Sequence, residues 1–233
     1  MSTWNGSNQA DRQFVSTNYN IYNALGGDDL IAVDEINNND FYNPRATIDG
    51  GEGRDTLLLR HFGASRQGQP GGEHYIAQMR DEQIEDIEDV RIVVNYTHWS
   101  YGVRIDLRNQ REGFNIIFTD YDSYSRTTYD YTNRYAYRIV GSSGSDKFIF
   151  SASNPFSNYN RGDFAGDTID GHDGVDTIIV PNASFASAIS GATDNQIKNI
   201  EIIDASSLTD EVSINLSRQT EGFTVKGGSG SDT

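Results

Sequence analysis

The chain has 233 residues, with 34 acidic against 18 basic side chains and a formal net charge of -16; it repels a phosphate backbone, so no nucleic-acid partner is expected. It contains no cysteine, which excludes disulfides and thiolate metal sites, and no apolar run approaches the roughly 18 residues a membrane-spanning helix needs. Of the acids 24 are Asp and 10 Glu, a bias toward the residue that suits tight turns and short-reach oxygen coordination.

The N-terminus, Met1-Ser2-Thr3-Trp4-Asn5-Gly6, lacks the basic and apolar parts of a cleavable signal, so export would use a signal outside this chain or another route. A degenerate Gly/Asp turn at 24–29 keeps Gly27 and Asp29. A full Gly-x-x-Gly-x-Asp turn follows at 50–55 and runs into Leu57-Leu58-Leu59. A helical stretch is predicted at 76–87, then strands at 90–96, 103–107 and 114–118. A tyrosine-rich stretch covers 119–137. The turn at 141–146 precedes a strand at 147–150, and the turn at 171–176 precedes Ile178-Ile179-Val180. A second helical stretch is predicted at 183–197, then strands at 200–203, 212–216 and 223–225, and a last Gly/Asp turn at 227–232. Val103, Ile105 and Leu107 share one face, as do Val212, Ile214 and Leu216; the continuous runs 57–59 and 178–180 suit burial on both faces.

The order of these features repeats. Residues 48–59 return as 169–180, and Ile84-Glu85-Asp86-Ile87-Glu88 returns as Ile197-Lys198-Asn199-Ile200-Glu201. Residues 103–107 return as 212–216, Glu112-Gly113-Phe114 as Glu221-Gly222-Phe223, and 141–146 as 227–232. The units run 1–140, with the tyrosine-rich insertion at 119–137, then 141–226, and a third opens at 227–233, as in a longer array. Short strands, Gly-rich turns and a long repeat predict an all-β parallel β-solenoid with short helical turns, in which stacking completes a core no rung can bury alone. The alternative is a β-sandwich.

The turns carry the chemistry. Calcium takes six to eight hard oxygen ligands at roughly 2.3–2.6 Å. Asp29, Asp55, Asp146, Asp176 and Asp232 supply charged oxygen at short reach. Asp49, Glu52, Asp170 and Asp173 stand beside them. Gly50, Gly141, Gly171 and Gly227, with Ser143 and Ser229, place main-chain carbonyls in the same turns. Without a cation these charges repel one another.

Gly50-Gly51-Glu52-Gly53-Arg54-Asp55-Thr56-Leu57-Leu58 and Gly227-Gly228-Ser229-Gly230-Ser231-Asp232 resemble the hemolysin-type calcium-binding (RTX) repeats. The resemblance implies a parallel β-roll with calcium between stacked turns, and export from a Gram-negative bacterium with folding driven by external calcium. The turns of this sequence are not contiguous nonapeptides. The order of turn, short helix, Ile-x-x-Ile-Glu and alternating strand is similar to calcium-dependent bacterial surface-layer proteins and large RTX adhesins. That likeness implies a secreted module on a bacterial cell surface whose partners are calcium ions and copies of itself or a surface polysaccharide.

Other chemistry is weakly signalled. His61, His74, His98 and His172 lack metalloprotease spacing, and the serines of the Gly-Ser turns precede strands, not the helix a nucleophile elbow requires. The expected function is a non-catalytic, calcium-binding structural module. The alternatives are a carbohydrate-binding module of a secreted enzyme, or a polysaccharide-acting solenoid enzyme. Tyr121, Tyr124, Tyr129, Tyr131 and Trp99 are the residues to contact a sugar or a neighbouring subunit.

Overall fold

In a computed structural model the described residues are 2–15, 21–35, 46–62, 79–95, 104–120, 138–150 and 167–233. One face is a nine-stranded parallel sheet: Arg12–Phe14 (β2), Leu30–Glu35 (β4), Thr56–Phe62 (β6), Asp89–Asn95 (β8), Asn115–Asp120 (β10), Lys147–Phe150 (β12), Thr177–Ile179 (β14), Ile202–Asp204 (β16) and Thr224–Lys226 (β17). Two four-stranded parallel sheets face it. The first holds Thr3–Asn5 (β1), Ile21–Asn23 (β3), Thr47–Asp49 (β5) and Ile84–Glu85 (β7). The second holds Arg104–Asp106 (β9), Arg138–Val140 (β11), Thr168–Asp170 (β13) and Ile197–Lys198 (β15). The chain alternates between the faces, so each rung pairs with the rungs before and after it. This is the expected parallel solenoid, and the long sheet runs without a break through both repeats.

Register explains the core. Ile31, Leu57, Val90, Ile116, Phe148, Ile178 and Ile203 are aligned across the long sheet and all are buried. Tyr22, Ile48 and Ile84 form one facing file, and Ile105, Ile139, Ile169 and Ile197 the other. Each buried side chain of this size contributes roughly 1.5–3 kcal/mol, which no single rung collects without its neighbours. The ring of Phe118 stacks on Phe150 at 4.6 Å, and Phe150 meets Phe185 at 4.7 Å. Phe185 lies on the one α-helix among the described residues, Ala183–Gly191 (α1). Asn182 caps α1 by accepting the Phe185 N–H at 2.9 Å, and the helix buries Phe185, Ala186, Ala188 and Ile189.

Several expectations need correction. Of the helix expected at 76–87, only a 3-10 turn, Asp81–Gln83, is helical among the described residues, and Ile84–Glu85 is already strand. The second helix ends at Gly191, and Ile197 is in β15. Residues 212–216 form no ladder. The Ile214 N–H donates to the Thr233 carbonyl at 2.9 Å and the Asn215 N–H to Ser190 Oγ at 2.8 Å, yet Val212, Ile214 and Leu216 do face the core. Leu58 and Ile179 are half-exposed between buried neighbours, so those apolar runs are buried on one face only.

Candidate functional site

The Gly/Asp turns at 24–29, 50–55, 141–146 and 171–176 line the edge where the facing strands pass into the long sheet. Each turn ends in an aspartate just before a strand, and the stacking of rungs puts each carboxylate beside the backbone of the rung before it. Asp29 Oδ1 accepts the Asp11 N–H at 2.5 Å, and Asp55 Oδ1 the Asp29 N–H at 2.7 Å. Glu88 Oε2 accepts the Asp55 N–H at 2.7 Å. The second repeat matches: Asp146 Oδ1 takes the Phe114 N–H, Asp176 Oδ1 the Asp146 N–H, and Glu201 Oε2 the Asp176 N–H, each at 2.7 Å. Asn199 N–H donates to Glu221 at 2.9 Å, and Asp86 N–H to Glu112. The carboxylates form a ladder clamping successive rungs through otherwise unmet amides.

The ladder explains repeats that carried no assigned role in the sequence. Glu88 and Glu201 close the Ile-x-x-Ile-Glu motif, and Glu112 and Glu221 open Glu-Gly-Phe. None of the four was among the candidate ligands. Their recurrence at matched positions was the signal that marked them.

The other carboxylate oxygen divides the turns into two classes. In the turns at 6–11 and 141–146 a serine follows the first glycine. Ser7 donates its N–H and its Oγ to Asp11 Oδ2, the latter at 2.9 Å. Ser142 does the same to Asp146 Oδ2, at 2.7 and 3.1 Å. In the turns at 24–29, 50–55 and 171–176 the corresponding residues are Leu25, Gly51 and His172, with φ of 75°, 83° and 74°. There the buried Oδ2 of Asp29, Asp55 and Asp176 has no hydrogen-bond partner. All three residues are at most 2 % exposed.

Burial dominates the electrostatics. It pushes the Asp55 carboxyl up to about 6, against the bond from Asp29 and helped by the charges of Asp29 and Glu88. Burial likewise lifts Asp176 to about 7, with Asp146 and Glu201 adding to it. Asp146 rises to about 6 by burial although three hydrogen bonds oppose the shift. Asp29 is raised by burial as well.

The remaining candidates are scattered. Asp49 is half-buried and Glu52 exposed. Asp170 Oδ1 braces its own turn, accepting from the His172 N–H at 3.1 Å and Asn199 Nδ2 at 2.7 Å. Asp173 is exposed and lies 3.4 Å from His172 Nδ1. Ser143 and Ser229 give their N–H groups to the carbonyls of Gln110 and Leu208, at 2.9 and 3.0 Å. Gly141 and Gly171 are buried, while Gly227 and Asp232 are exposed. Among the described residues no three acidic or histidine side chains gather as a metal-holding group. The fit to a cation therefore rests on the orphaned carboxylate oxygens together with nearby main-chain carbonyls. Trp99, Tyr121, Tyr124, Tyr129 and Tyr131 lie outside the described residues.

Set against known proteins, the chain matches no family model, no curated protein and no solved structure.

Proposed function

We propose that this chain is a calcium-stabilised structural module, without catalysis of its own, of a secreted bacterial surface-layer or adhesin-type protein. The observation that carries the reading is the set of buried carboxylate oxygens on Asp29, Asp55 and Asp176 that no donor meets. An ionised carboxylate in that setting is stabilised only by positive charge or by a donor. The charges acting on Asp55 come from Asp29, Glu88 and Asp28, so neighbouring side chains add repulsion. Calcium, when bound, supplies that charge and accepts hard oxygen ligands. The chain's own residues do the remainder: the ladder oxygens hold rung to rung, and the apolar files fix the spacing. The likeness of the two repeats supports a passive scaffold, because catalytic residues would break the repeat. Its expected partners are further copies or a surface polysaccharide.

A ligand that binds only the folded chain adds stability by mass action. At millimolar calcium, sites with Kd near 10⁻⁴–10⁻³ M contribute about 0.4–1.4 kcal/mol each. The test is a circular-dichroism melt in calcium, in magnesium and after chelation. Calcium alone should raise the midpoint, by about 2–11 °C if two sites fill. Three coincident melts would overturn the proposal.

A further inference from the structure

We infer that calcium binds at two places, one per repeat: between the turn at 50–55 and Asp86, and between the turn at 171–176 and Asn199. This rests on the calcium reading above and goes beyond it by saying which turns take the ion and which do not.

Four residues in left-handed backbone mark the two places. Gly51 and His172 have φ of 83° and 74°; Asp86 and Asn199, at matched positions in the following rung, have φ of 53° and 50°. A non-glycine residue seldom adopts such a conformation without cause. The first pair turns its N–H away from the ladder aspartate: His172 donates to Asp170 instead, and Asp176 Oδ2 is left without a donor. The second pair aims its carbonyls back at the same spot. A Cβ on Gly50 would stand 2.0 Å from the Asp86 carbonyl oxygen and 2.7 Å from Asp55 Oδ2. A Cβ on Gly171 would stand 2.0 Å from the Asn199 carbonyl oxygen and 2.4 Å from Asp176 Oδ2. Only glycine admits both oxygens to that face.

Both oxygens are acceptors. Among the described residues no hydrogen bond reaches the Asp86 or Asn199 carbonyl, and none reaches the two carboxylate oxygens. Two facing acceptors in a buried, acidic setting repel until a hard cation stands between them. The turns at 6–11, 24–29 and 141–146 lack the combination. Ser142 already fills the acceptor of Asp146, and Ser7 that of Asp11. At 24–29 the first position is Ala24, whose own Cβ occupies the face that glycine leaves open.

The experiment is calorimetric titration of calcium chloride into the chelator-stripped whole chain, paired with melts in chelator. Wild type should take two ions. Asp176→Asn keeps an oxygen for the Asp146 N–H and offers an amide donor toward the Asn199 carbonyl. It should therefore take one ion and melt in chelator no lower than wild type. Asp55→Asn should likewise take one, and the double variant none. His172→Ser, which restores the serine donors at that turn, should also take one ion. Two ions in any single variant, or a lowered chelator melt in both asparagine variants, would overturn the placement. If calcium raises the wild-type melt while the ion count ignores these variants, the calcium reading stands and the placement fails. If wild type takes no ion, both fail.

Discussion

The turns at 141–146 and 227–232 share a motif and a mode of docking, yet they lie on opposite edges of the solenoid. The first follows β11 and rests on the turn at 107–113, where chain enters the long sheet. Ser143 N–H meets the Gln110 carbonyl, Phe114 N–H meets Asp146 Oδ1, and Lys147 N–H meets the Phe114 carbonyl. The second follows β17 and rests on the turn at 205–211, where chain leaves that sheet. Ser229 N–H meets the Leu208 carbonyl, Val212 N–H meets Asp232 Oδ1, and Thr233 N–H meets the Val212 carbonyl. Between β10 and the first turn the chain has room to cross to the facing sheet and form β11. Between β17 and the second turn no residue intervenes. The motif thus encodes how a turn docks, and the length of chain before it encodes which edge it reaches.

The largest test of this contrast is steric. A Cβ on Gly144 would lie 2.4 Å from the Gly113 nitrogen, and one on Gly230 would lie 2.6 Å from the Asp210 carbonyl. Gly144→Val sits between packed rungs and should cost about 2–4 kcal/mol in urea unfolding. Gly230→Val meets backbone as closely, but its half-buried position lies in a turn of largely exposed residues that can shift, and it should cost less, about 1–2 kcal/mol; equal losses would mean that both turns carry the same load. The next test removes the carboxylates. Asp146→Ala strips a buried acceptor from the Phe114 and Ser142 amides and should cost about 1–3 kcal/mol. Asp232→Ala removes one exposed acceptor from the Val212 amide and should cost about 0.5 kcal/mol by the same measurement.

The smallest effect sharpens the electrostatics. Asp55, Asp146 and Asp176 have folded-state values of about 6, 6 and 7, above the ordinary 3.8. The folded chain therefore holds more protons than the unfolded one between roughly pH 4 and 7, and stability falls as pH rises through that window. Melts in chelator should move up by a few degrees from pH 8 to pH 5. A flat profile would show that their hydrogen bonds offset burial.

Much of the fold was legible in the sequence, because Gly-x-x-Gly-x-Asp punctuates it and Ile, Leu, Val and Phe alternate within the runs. The ladder was not. Its partners are separated by 18, 26, 33, 32, 30 and 25 residues, so no fixed period points from Asp55 to Glu88 or from Asp176 to Glu201. The coil lengths vary because the connections on the second edge vary, as α1 shows. The half-exposure of Leu58 and Ile179 was hidden for a related reason: an apolar run reads the same whether its middle residue faces the core or the outside.

Each ladder carboxylate serves the rung before it, never the rung after it. The Asp29 amide waits on Asp55, and the Asp55 amide on Glu88. The ladder therefore has a grammatical direction, each clause completed by its successor, while Asp28, Asp81 and Asp194 reach the other way, accepting the N–H groups of Arg54, Arg111 and Thr220 in later rungs. Loss of a ladder carboxylate is felt upstream, by the rung whose amide it met.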